Sequence, residues 1–132
     1  MAAIASYAAT PNLGIVNIAT ANTAKDGTGT IGTVLTAGAS GSRIDGVDIK
    51  ARVTTTAGAI RLFIHDGTTA FLLTEIPVVA LTSSATAAAW EWQGNTNTMS
   101  NLFPIILPTG YSLRASTNNA ESFNVFALGG NF

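Results

Sequence analysis

Apolar and polar residues alternate along much of this chain with a period of two. From Ile44 to Thr54, Val47, Ile49, Ala51 and Val53 alternate with Asp48, Lys50, Arg52 and Thr54. That spacing sends successive side chains to opposite faces of a strand, one packed and one wet. Ile60, Leu62 and Ile64 alternate in the same way with Arg61, Phe63 and His65 over Ala59–His65. The linker Thr55–Gly58 reads as a tight hairpin. Asp66–Gly67–Thr68–Thr69 is a stronger turn, because Asp-Gly tolerates the positive φ that hairpins require. Phe71–Ile76 then reads as the third strand of a meander, stopped by Pro77.

Weaker strand patterns cover Leu13–Thr20 and Thr30–Ala37, followed later by Thr86–Gln93, Tyr111–Ser116 and Ser122–Leu128. Pro104 and Pro108 confine Ile105–Leu107 to a short edge piece. No stretch has helical periodicity with caps. About eight short strands at even spacing predict an all-β, single-domain antiparallel β-sandwich, jelly-roll-like in topology. Residues 1–12, small and broken by Pro11, read as a flexible N-terminal arm, and residues 13–132 as the sandwich domain.

Composition narrows the function. Of 132 residues 47% are hydrophobic but only 10% charged, against a usual charged share of about 25%. Net charge is -1, and the basic residues Lys25, Arg43, Lys50, Arg52, Arg61 and Arg114 are scattered, so no stripe for nucleic acid forms. There is no cysteine, which removes disulfides and zinc–thiolate sites. No basic residue precedes Lys25 and no apolar run approaches the ~20 residues needed to span a bilayer, so synthesis in the cytoplasm and no membrane contact are expected. A β-rich chain with so little charge is poorly guarded against association, so either its edges are covered or association is its purpose.

Several motifs suggest chemistry and fall short of it. Gly27–Gly32 matches G-x-G-x-x-G, but the Thr- and Gly-rich residues 33–41 make a poor helix for a dinucleotide. His65 and Asp66 are adjacent on a strand and point to opposite faces, which suits a turn better than a catalytic pair. Glu75, Glu91 and Glu121 lie on separate segments, and Asp45 with Asp48 is thin for calcium. No enzyme activity, cofactor or metal is expected. Trp90 and Trp92 flank Glu91 and share one strand face. They suit a sandwich core, or an exposed platform that stacks on a sugar or a protein.

Asp26–Gly29, Gly38–Ile44, Thr55–Gly67 and Pro108–Ser116 resemble segments of small structural proteins of tailed phages. The resemblance covers most of the chain beyond the arm. It implies a non-enzymatic β-sandwich of the virion exterior that decorates or cements a capsid by bridging major capsid subunits. Implied partners are a major capsid protein and further copies of the chain, as a dimer or trimer. A carbohydrate-binding module and a tail or baseplate component are the alternatives. Candidate interface residues are Ile4, Tyr7 and Pro11 in the arm, Trp90 and Trp92, and Phe132 in the tail.

Overall fold

The structure is a computed structural model that describes residues 8–95, 97 and 101–132. Ile4 and Tyr7 lie outside the described residues. Among the described residues nine strands occur: β1 (Thr10–Ile18), β2 (Gly32–Thr36), β3 (Ser42–Ala51), β4 (Gly58–His65), β5 (Ala70–Val78), β6 (Glu91–Asn95), β7 (Ile105–Leu107), β8 (Ser112–Thr117) and β9 (Phe123–Asn131). They form two antiparallel sheets, β1-β9-β3-β6 with β7 also on β3, and β2-β8-β4-β5. No helix among the described residues is long and apolar enough to cross a membrane.

The pairing is nested. The first strand pairs with the last, β2 with β8, β3 with β6 and β7, and β4 with β5. One long hairpin has rolled up, and its arms fall alternately into the two sheets, which makes the sandwich jelly-roll-like. The expected β-sandwich is therefore present.

Alternation builds the core. Inward rows of the first sheet run Val16–Val125–Ile49–Trp92 and Ile18–Phe123–Ala51. Facing them from the second sheet are Leu35, Leu113, Ala115, Ile60, Leu62 and Ile76. Fully burying one such side chain contributes roughly 1.5–3 kcal/mol.

Four local expectations change. β1 begins at Thr10, so Pro11 and Asn12 belong to a strand. β3 stops at Ala51 and leaves Val53 exposed. Thr55–Gly58 is no hairpin, because β3 and β4 lie in different sheets. There Thr55 is buried, its hydroxyl donating to Val79 O at 2.8 Å and its backbone pairing with Leu81. Pro77 does not end β5, which as an edge strand tolerates the missing N–H donor.

The sandwich edges are guarded. β1 closes against β2: Asn12 Nδ2 donates to Thr36 O at 3.3 Å, and a Cβ on Gly14 would run into the Val34 carbonyl. β5 carries Pro77 and a register shift near Leu73, while β6 is five residues long. Proline, bulges and shortness all discourage strand addition.

Candidate functional site

Residues 19–31 connect the two sheets and pass over the outer face of β4. Asn22 pins them there. Its backbone N–H donates to Thr117 O at 2.8 Å, and its amide donates to Thr28 O and Thr30 O, both at 2.9 Å. Buried Arg61 donates from Nη1 to Asn22 O and to Asn118 Oδ1, and from Nε to Glu75 Oε1 at 2.9 Å. Lys25 Nζ lies 3.2 Å from the same Glu75 oxygen. The Lys25 hydrogen bond first, and the Arg61 guanidinium second, hold the Glu75 carboxyl below its ordinary range. Under this strap Phe63 is wholly buried although it lies outside the core between the sheets.

The motif glycines serve the strap. Gly27 and Gly29 have φ of 86° and 80°, a region costly for side-chain-bearing residues, and Gly27 sits against Ala70. No strand–helix crevice for a pyrophosphate exists here, since β2 follows directly.

Other chemistry-bearing groups are likewise committed to turns. Asp66 Oδ1 accepts from the Thr69 and Thr68 amides at 2.7 and 2.9 Å, and those bonds lower its pKa. His65 Nδ1 accepts from Gly67 N at 3.1 Å. Glu121 Oε2 accepts from the Thr56 amide and hydroxyl. Among the described residues, no group of three or more His, Asp or Glu could hold a metal ion. A crevice of about 100 Å³ lies between Asn17–Thr20, Thr30–Gly32 and Ser116–Thr117. The unpartnered Ser116 hydroxyl beside it is sealed from solvent.

What the molecule does present is apolar surface. In register, Leu13 pairs with Leu128 and Ile15 with Phe126 on the outer face of the first sheet. Leu13 and Ile15 are 56% and 58% exposed, and Leu128 is 42% exposed. Asn17 and Asn124 continue this strip, joined by a 3.0 Å hydrogen bond. The other half of the face is charged. Outward from β3 and β6 stand Arg43, Asp48, Lys50 and Glu91, with Lys50 and Glu91 3.9 Å apart. Further exposed apolar residues lie at the opposite margin of the sandwich, Phe71 and Leu72 near the start of β5 and Val79 and Leu81 just past its end.

The sequence-derived interface residues do not gather in one place. Pro11 is exposed at the start of β1, and Phe132 is exposed at the C-terminus beside Gly41. Trp90 and Trp92 do share a face, but it is the inner one. The Trp90 ring meets Phe123 edge-on at 5.8 Å and 89°, and half-buried Trp92 folds over Gly94. No exposed aromatic platform for a sugar forms there. The β1–β9 strip escaped notice in the sequence, though Leu13, Ile15, Phe126 and Leu128 carry its signal at period two.

No protein-family model matches the chain, and no curated protein matches it. Among solved structures, two of a pentameric capsid protein isolated from metagenomic phage sequences are similar to it. Identities are 14% and 15%, with a TM-score of 0.40 for each. The match covers 89% of this chain and 62% and 61% of those chains, so this chain spans about three-fifths of their length.

Proposed function

We propose that this chain is a non-enzymatic structural protein of a tailed-phage virion that decorates the capsid exterior and cements neighbouring major capsid subunits. The observation that carries the reading is the exposed apolar strip on β1 and β9, with further exposed apolar residues at the opposite margin, on a sandwich whose edges are guarded. A cementing protein needs more than one contact surface, whether each meets a capsid subunit or one meets a further copy of the chain. Scattered exposed apolar residues are ordinary, but contiguous patches mark contact sites.

Two further features support it. Segments such as Thr55–Gly67 and Pro108–Ser116 resemble small structural proteins of tailed phages. The strip is also small, and weak contacts suffice when a symmetric shell repeats them, since linked contacts gain avidity.

Quantitative peptide mass spectrometry on particles purified from producing cells tests the proposal. Copies approaching the number of major capsid subunits are expected. A handful per particle would move the protein to the tail or baseplate, and absence from particles would overturn a virion role.

A further inference from the structure

The outward positions of β1 and β9 form a continuous face without a charged residue. It consists of Leu13, Ile15 and Asn17 on one strand and Asn124, Phe126 and Leu128 on the other. From this we infer that the β1–β9 face is where two copies of the chain meet, each presenting the same strip to the other. The inference stands apart from the capsid reading, because it needs only the surface itself.

Self-recognition asks that a surface complement its own copy. A carboxylate or ammonium row cannot do so, because like charges would face each other. Amides can, since each carries both donor and acceptor. Asn17 Nδ2 donates to Ser122 Oγ, Phe123 O and Asn124 Oδ1 at 2.9, 3.2 and 3.0 Å. That leaves the Asn17 Oδ1 acceptor and the Asn124 Nδ2 donor free among the described residues, a matched pair for the same two residues of a second copy. Leu13, Ile15, Phe126 and Leu128 supply the apolar part of the contact beside this amide row.

Charge sets the boundary of the contact. Asp48 stands beside Phe126 and Lys50 beside Asn124 in the register, so the sheet turns ionic one strand further on. Closing two β1–β9 strips together buries no ion and leaves those groups in water, avoiding a desolvation penalty of several kcal/mol per ion. With a net charge of -1, two copies also repel one another little.

Edge-to-edge routes to association are obstructed. β1 is closed against β2, β5 is interrupted by Pro77 and its register shift, and β6 is short, so pairing by faces replaces pairing by edges. The apolar part holds four side chains, whereas stable complexes use roughly 20–30 residues a side. Pairing is therefore weak, reversible and concentration-dependent.

Sedimentation of the full chain from micromolar to millimolar concentration tests this. Reversible self-association is expected, weakened at least about tenfold by Leu13→Thr with Ile15→Thr, which keep strand propensity. Asn17→Asp should also weaken it, by setting carboxylates toward a like surface, and added salt should recover part of the loss. Val79→Thr at the opposite margin should leave it unchanged. Unaltered thermal melting of each variant separates a lost contact from a lost fold. A wild-type chain that stays monomeric to millimolar concentration overturns the inference, as does association indifferent to Leu13 and Ile15. Variants that pair normally but no longer bind phage particles would assign the strip to the capsid instead of to pairing, which overturns the inference and leaves the virion role intact.

Discussion

Trp90 is buried in the core, its ring edge-on to Phe123 and its carbonyl accepting from Ala51 N at 2.9 Å. Trp90→Ala removes a large buried ring, and a loss of roughly 3–5 kcal/mol is expected from urea unfolding. Ile15→Thr, on the exposed strip, should change monomer stability by no more than about 0.5 kcal/mol. The contrast separates residues that hold the fold from residues that meet a partner. Spacing alone places Trp90 and Trp92 on one face, but it does not say which face is inside. That is decided by Phe123 and Ile49, whose strands reach β6 only after the chain has rolled up. Asn22 is another case. Nothing local distinguishes it from other asparagines, and its role arises from the meeting of Thr28, Thr30, Thr117 and Arg61 around it.

At the scale of elements, the 19–31 strap depends on Glu75 joining Lys25 to the buried Arg61. Because the folded state depresses the Glu75 pKa from 4.5, its contribution is complete above the ordinary carboxylate range. It is lost as the pH falls through the depressed folded value. Hydrogen exchange should therefore show the Asn22 amide, protected by Thr117 O, opening as the solution is acidified below about pH 4.5. In Glu75→Gln that amide should exchange faster already at neutral pH, with a flatter acid response. Equal protection in both proteins at every pH would remove Glu75 from the clasp. Strand positions in this region are legible because alternation is local, as Ile60, Leu62 and Ile64 illustrate. Membership of a sheet is not local, which is why Thr55–Gly58 reads as a hairpin yet links two sheets. A buried Phe63 on an outward position is equally hidden, because the 19–31 strap that crosses β4 lies some thirty or more residues earlier in the chain.

At the scale of the whole molecule, nested pairing brings the first and last strands together, Thr10 opposite Asn131. It also leaves one apolar strip on β1 and β9 and further exposed apolar residues near β5, on opposite margins. Low charge and abundant Thr, Ser and Asn mark association in the composition, while the surfaces that carry it exist only once β1 lies beside β9. Scarce charge lets such surfaces close on a partner without burying ions. Cementing makes a direct demand on such a molecule. The most direct measurement is to add purified chain to phage particles lacking it and follow the temperature at which they release their genome. A saturable rise is expected, reaching its limit when bound copies approach the number of major capsid subunits. Binding without any rise, or no binding at all, would contradict a cementing role.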